Sequence, residues 1–174
     1  MRRVAITTPT IDVILEMFFL EQVVPAGWVF GGGGSAGPRP SPTQRPPMTQ
    51  RRLRSLEGRL RDYLEVEGEH ILVTADIELL ASERQFDPAG AFCRTMHADD
   101  LLFSLPGFLE RCVPADLTDT RLQLATIDAL TSWLLRRGLI DGAGLECILL
   151  DVDAALRQGR EDLRRRRREA RLQT

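Results

Sequence analysis

Residues 31–50 set the first limit on how this chain can fold, because they read GGGGSAGPRPSPTQRPPMTQ. The segment holds five glycines and five prolines, and neither residue type favours the interior of a helix or a strand. Glycine makes its first part flexible, and proline makes its last part stiffer. We therefore predict a linker that separates an N-terminal segment, residues 1–30, from a domain at residues 51–156 and an arginine-rich tail at residues 157–174.

The N-terminal segment is too apolar for its length. Its large apolar side chains include Ile11, Ile14, Leu15, Phe18, Phe19, Val23, Val24, Trp28, Val29 and Phe30. The first of these predict one short helix that ends at Pro25. So short a segment cannot bury these groups alone, so it docks either on the larger domain or on a partner protein. A third interpretation makes Met48 the true start and residues 1–47 a translated leader.

The larger domain shows helical periodicity. A first amphipathic helix ends near Gly68. Residues 71–85 predict a second helix, although residues 70–74, HILVT, are also compatible with a short strand. Residues 98–113 predict two short helices that meet at Pro106–Gly107, because proline disfavours a helix interior.

The end of this domain predicts an antiparallel αα-hairpin. Thr118 or Asp119 is placed to cap a broad apolar helix that runs to about Arg137. Gly138 follows at the position where a left-handed residue ends a helix, and Asp141 is placed to cap the next one. The apolar stripe of that next helix consists of Leu145, Ile148, Leu149, Val152 and Leu156.

These patterns together predict an all-α fold. We expect a small helical bundle of about five helices over residues 50–160, with a flexible N-terminal appendage and a basic helical tail. The segment LLRRGLIDGAGLE, at residues 134–146, resembles the helical hairpin that opens the α-subunit of nitrile hydratases. The resemblance covers this hairpin alone, and the cysteine metal-claw motif of that family is absent. It therefore implies a hairpin and no activity.

The tail is dominated by arginine. Its arginines are Arg157, Arg160, Arg164, Arg165, Arg166, Arg167, Arg168 and Arg171. Because five of these are consecutive and surround a helix, we predict that this part does not pack on the core. It is either a solvated tail that complements the C-terminal helix dipole or a contact for an acidic partner protein. Nucleic acid is the alternative partner, since arginine attracts phosphates. The chain has no lysine, however, so codon bias of a GC-rich genome accounts for much of its arginine content.

No catalytic, cofactor-binding or metal-binding set emerges from the sequence. Cys93 and His97 stand four apart, which on a helix would place both on one face, but the second pair of ligands for zinc is missing. A buried cysteine beside a capping histidine is favoured over a nucleophilic pair. Without lysine a P-loop is impossible. Three widely spaced cysteines indicate a reducing compartment, and no apolar run suits a membrane span, so we predict a cytoplasmic protein.

We therefore expect a non-enzymatic accessory, adaptor or assembly protein that binds partner proteins. The predicted anchors of the tethered segment are its aromatic side chains, Phe18, Phe19, Trp28 and Phe30. The predicted salt-sensitive contacts are the consecutive arginines of the tail, Arg164, Arg165, Arg166, Arg167 and Arg168. A homo-oligomer is also compatible with the pattern, because the apolar stripe can continue into a partner helix at Leu163.

Overall fold

The computed structural model of the chain describes residues 8–23 and 47–172, and these residues are 82% helical and contain no strand. The all-α prediction is confirmed. The described helices are α1 (Ile11–Val23), α2 (Pro47–Glu67), α3 (Thr74–Phe86), α4 (Ala91–Thr95), α5 (Ala98–Arg111), α6 (Leu117–Arg136) and α7 (Glu146–Leu172). A 3₁₀ turn at Gly68–Ile71 follows α2.

Helix α2 begins inside the predicted linker. Its first residue is Pro47, so the end of the segment predicted as linker is helical. Proline is well tolerated in the first turn of a helix, where its missing N–H would have no intrahelical partner. The helix packs on the core through leucines at helical spacing, each at most 1% exposed: Leu53, Leu56, Leu60 and Leu64. It ends at Glu67, next to the predicted end at Gly68.

A close contact accompanies the end of α2. A Cβ atom at Gly68 would lie 2.5 Å from the ring of Phe92, so a larger residue would displace that buried ring. The chain then leaves the 3₁₀ turn in extended conformation at Leu72 and Val73. Residues 70–74 therefore form no strand, and the helix predicted from residue 71 begins at Thr74 instead.

Helix α5 runs through Pro106 without a break, so the prediction of two short helices is wrong. Proline costs about 3 kcal/mol in a helix interior because it lacks an N–H and crowds the preceding turn. The apolar side chains on both sides of it share one buried face: Leu101, Leu102, Leu105, Phe108 and Leu109. Burial contributes about 1.5–3 kcal/mol for each such side chain. The summed burial therefore outweighs the cost of the proline. The local sequence does not reveal this balance, because the burial depends on distant helices.

The caps around α6 differ in part from the prediction. Asp116, rather than Thr118 or Asp119, is the N-cap, and its Oδ1 accepts hydrogen bonds from the backbone N–H groups of Thr118 and Asp119. Gly138 follows the C-cap with φ of +64°, the left-handed conformation that the sequence predicts. Asp141 does not cap α7. It accepts from the backbone N–H of Ala143 in a turn, and α7 begins only at Glu146.

Helix α1 lies in the core of the chain. Its inner face consists of five side chains that are at most 5% exposed: Ile11, Ile14, Leu15, Phe18 and Phe19. The backbone N–H of Ile11 donates to the carbonyl of Met96 at 2.9 Å. The ring of Phe18 packs edge-on against Trp133 of α6, with centroids 5.9 Å apart. Of the placements that the sequence left open, the structure therefore shows α1 docked on the larger domain.

Helices α6 and α7 run antiparallel along each other. Thr120 lies opposite Arg166, and Asp128 lies opposite Arg160. A Cβ atom at Gly159 would lie 2.6 Å from the side chain of Leu124, so this glycine lets the two helices approach closely.

The packing of α7 continues beyond the predicted end of the domain. Leu163 is 7% exposed, so it is part of this chain's own core rather than free for a partner helix. Arg166 donates to the carbonyl oxygen of Pro114 in the loop before α6. The prediction that the consecutive arginines do not pack on the core is therefore wrong for Arg166. Antiparallel pairing turns one side of the tail towards α6.

The role of α1 in the core is testable by truncating one buried and one exposed side chain. We expect Phe18→Ala to lower the free energy of unfolding by about 3–5 kcal/mol, because the ring is fully buried. Leu20→Ala, at a position 62% exposed on the same helix, is the control and should change it by less than about 0.5 kcal/mol. Urea unfolding measures both. Equal effects would contradict the docking of α1.

The cap of α6 predicts a pH-dependent contribution to stability. Hydrogen bonds from Asp119 and Thr118 lower the pKa of Asp116, so its contribution is present above the unfolded-state pKa and is lost as pH falls through the folded-state pKa. We expect Asp116→Ala to lower the unfolding temperature at neutral pH, and the difference from the wild type to shrink below about pH 4. Asp151→Ala, at an exposed carboxylate of α7, is the control. A difference that persists at low pH would contradict this origin.

Candidate functional site

The clearest charged feature of the surface is a row of arginines on one side of α7. Arg160, Arg164, Arg167 and Arg171 are spaced at i, i+4, i+7 and i+11, which places them on one face of the helix. At 1.5 Å per residue the row is about 16 Å long. Its position is set by the buried stripe of the same helix, which turns this side of α7 towards the outer edge of α6. These four residues form the arginine row.

Helix α6 completes a groove beside the arginine row. The groove has a volume of about 420 Å³. Its basic lining consists of Arg121 from α6 and of Arg160, Arg164 and Arg167 from α7. Its remaining lining residues are Leu124, Ala125, Asp128 and Leu163. The site is therefore a basic groove with a small apolar floor, formed by two helices that meet only in the tertiary structure.

The groove carries more positive than negative charge. Asp128 pairs with Arg160 at 2.7 Å and neutralises that arginine in part. Within the described ranges, no carboxylate lies within salt-bridge distance of Arg121, Arg164 or Arg167, and all three are exposed. Three unpaired guanidinium groups around one groove attract an anion, and each presents a planar set of N–H donors.

The structure divides the five consecutive arginines among different roles. Arg164 and Arg167 line the groove. Arg165 pairs with Asp162 at 2.7 Å on the same helix, and Arg166 binds the carbonyl of Pro114. Arg168 is exposed and does not line the groove. Sequence reasoning named these five as one contact, but only two of them share the groove.

Arg121 is the groove residue that sequence reasoning missed. It lies on α6, and more than 40 residues separate it from Arg164. A lone arginine on the exposed face of an amphipathic helix carries no sequence signal of a site. The antiparallel packing of α6 on α7, with Asp128 paired to Arg160 and Leu124 against Gly159, brings Arg121 beside the arginine row.

The predicted aromatic anchors do not form a surface in the described residues. Phe18 and Phe19 are 0% and 5% exposed and pack edge-on against each other in the core. They are not accessible to a partner in this structure, because the same apolar character that suggested an interface buries Phe18 against Trp133 and Phe19 against Phe18. Trp28 and Phe30 lie outside the described residues.

Cys93 and His97 do not lie on one helix, so the spacing of four residues does not place them on a common helix face. Helix α4 ends at Thr95, and His97 occupies the N-cap position of α5, where its backbone N–H donates to Asp100 at 3.0 Å. Burial raises the pKa of the Cys93 thiol to about 11, so it stays protonated near neutral pH. A protonated thiol is a poor nucleophile and a poor metal ligand.

The described residues contain neither a metal-binding cluster nor a membrane-spanning helix. Across residues 8–23 and 47–172, no group of three or more His, Cys, Asp and Glu side chains is arranged to hold a metal ion. None of the described helices combines the length and apolarity needed to cross a bilayer.

The difference between the cysteines is directly testable. Cys93 is buried, whereas Cys147 is exposed. At neutral pH a thiol of pKa about 11 is ionised only to about one part in ten thousand. We expect iodoacetamide to label Cys147 in the native protein while Cys93 is labelled only after unfolding in urea, as read by peptide mass spectrometry. Equal labelling rates in the native protein would show that Cys93 is accessible and reactive.

Comparison with known proteins identifies no relative: no family model matches the chain, and no curated protein or solved structure does either. The proposals that follow therefore rest on the contacts, burial and charges of the described residues.

Proposed function

We propose that this chain is a non-enzymatic accessory protein that binds an acidic segment of a partner protein in the groove between α6 and α7. The observation that carries the proposal is the group of three unpaired arginines, Arg121, Arg164 and Arg167, around one groove. Complementary charge speeds the encounter of two proteins and selects between partners. A cytoplasmic adaptor or assembly role is compatible with such a surface.

The composition of the groove favours a protein partner over nucleic acid. Its floor includes Leu124, Ala125 and Leu163, which can contact apolar side chains of a peptide. Within residues 8–23 and 47–172 no aromatic side chain lines it, so these residues offer no stacking on bases, which contributes much of single-strand binding.

The arginine spacing suits a helical partner. Arg160, Arg164 and Arg167 repeat at i, i+4 and i+7, and acidic residues at the same spacing lie on one face of an amphipathic helix. An amphipathic helix in a groove between two helices is a recurrent mode of peptide recognition. We therefore propose that the partner contributes an acidic amphipathic helix. The contact is rim-exposed, so its strength should fall with ionic strength.

The test uses a probe peptide and charge reversal in the full chain. The probe is a fluorescein-labelled helical peptide with glutamate at i, i+4 and i+7 and with alanine and leucine on the adjoining face. We expect Arg164→Glu/Arg167→Glu to weaken its binding at least tenfold, or about 1.4 kcal/mol, in fluorescence anisotropy. The matched control, Arg51→Glu/Arg54→Glu, reverses two exposed arginines of α2 outside the groove and should leave the affinity unchanged.

Each outcome decides between partners. A peptide that does not bind, or that binds both double variants equally, would overturn the proposal. Binding of a DNA duplex that is lost with the same Arg164 and Arg167 changes, without binding of the peptide, would replace it with a nucleic-acid-associated function. Substitution is preferable to deletion of the tail after Leu156, because deletion would also remove the buried side chain of Leu163.

A further inference from the structure

Arg59 is the exception among the partly buried arginines of the described residues. Five of the other partly buried arginines have a carboxylate within 4 Å: Arg52, Arg61, Arg84, Arg94 and Arg160. Arg166 has no carboxylate, but it donates to several oxygens of the loop before α6. Arg59 donates from Nη2 to Oε1 of Gln123 at 3.3 Å, and its Nε is buried without an acceptor in the described chain.

A partly buried cation without a counter-charge is costly. Water is withdrawn from its Nε, and the one neutral acceptor that the group has is at the long end of hydrogen-bond distances. A charged donor gains most from an anionic acceptor. Nε itself is covered by the chain and lies out of reach of a ligand. The terminal Nη groups have no carboxylate partner in the described residues, so their remaining donor capacity suits an anion from outside the chain.

Arg59 lies at an open hollow between α2 and the end of α5. The hollow has a volume of about 520 Å³, within the range of small-molecule sites. Much of its wall is apolar or aromatic and consists of Tyr63, Val66, Cys112, Val113 and Pro114. Val66 and Val113 are 73% and 53% exposed, so the apolar wall is open to a ligand. The site is formed by α2, the end of α5 and the loop that follows α5, and none of its lining residues belongs to the arginine row.

The other charges at the hollow leave Arg59 as its unpaired cation. Arg111 and Glu67, which also line it, pair with each other. Asp62 is exposed, so water screens its charge. Burial raises the pKa of the Tyr63 hydroxyl and of the Cys112 thiol, in keeping with a wall that is partly shielded from water.

We propose that this hollow binds a small amphipathic anion, an organic carboxylate with an apolar body. The carboxylate accepts hydrogen bonds from the guanidinium group of Arg59, and the apolar body covers Val66, Val113 and the ring of Tyr63. This binding site goes beyond the proposed function, because it uses different helices and a small ligand. Its apolar wall disfavours inorganic phosphate, and its single unpaired cation disfavours a polyanion.

The test compares octanoate with 1-octanol, which has the same chain length and no charge. Isothermal titration of the full-length protein should give saturable octanoate binding that Arg59→Met weakens at least tenfold, because methionine retains an apolar stem without the charge. The matched control is Arg54→Met, at an exposed arginine of the same helix, and it should bind octanoate like the wild type. Octanol should bind at least tenfold more weakly than octanoate.

A second variant keeps the test valid if Arg59→Met fails to fold. Val66→Glu changes an exposed residue of the wall and places a negative charge at its mouth, so it should weaken octanoate binding without lowering the unfolding temperature. Chemical-shift changes in the wild-type protein should map to Tyr63, Val66 and Val113. The proposal is overturned if octanoate does not saturate, if octanol binds equally well, or if neither variant changes the affinity. None of these results bears on the groove between α6 and α7.

Discussion

The burial of the inner face of α1 against Trp133 joins parts of the chain that lie far apart in the sequence. Phe18 contacts the indole ring, and Glu21 accepts a hydrogen bond from the indole N–H at 2.8 Å. At the other end of α1, Ile11 bonds to Met96, just before α5. Apolar surface from α1 thus closes a core to which α2, α4, α5 and α6 also contribute. Because the hydrophobic effect grows with the area removed from water, a short helix with a wholly buried inner face is a major contributor to so small a core.

The close approach of α6 and α7 determines what the charged end of the chain can do. Gly159 admits the side chain of Leu124, and Leu163 continues the buried stripe one turn further along α7. Once the helix is held in this way, each arginine has a fixed direction. Arg166 binds backbone oxygens, whereas Arg164 and Arg167 face the groove. A run of identical residues therefore acquires different roles through helix packing alone.

Paired and unpaired cations distinguish the surfaces of this molecule. Arg84 between Glu65 and Glu69 is satisfied within the fold, and Glu65 also accepts from the backbone N–H of Phe92 at the start of α4. Such a network positions helices and leaves little capacity for a ligand. Unpaired arginines have the opposite character: the exposed ones at the groove suit an extended acidic partner, and the partly buried Arg59 suits a single anionic group. The solvent exposure of the arginine distinguishes the two sites. Desolvation strengthens the contact of a partly buried arginine with one anion, whereas exposed arginines act together over a longer range.

The sequence by itself determined the helical class, the end of α2 beside Gly68, the left-handed Gly138 and the apolar stripe of α7, because each depends on residues within a few turns of one another. It did not reveal that α5 continues through Pro106, that Asp116 caps α6 or that α1 and Leu163 belong to the core. Those features depend on burial against distant helices, and hydrophobic periodicity shows which face is apolar without showing what covers it. The same limit applies to both candidate sites. Arg164 and Arg167 stood out in the sequence as part of a charged run. Arg121 and Arg59 became notable only when the tertiary structure showed which cations lack a carboxylate. Ion pairing over long sequence separations is decided by packing, so the sequence does not show it.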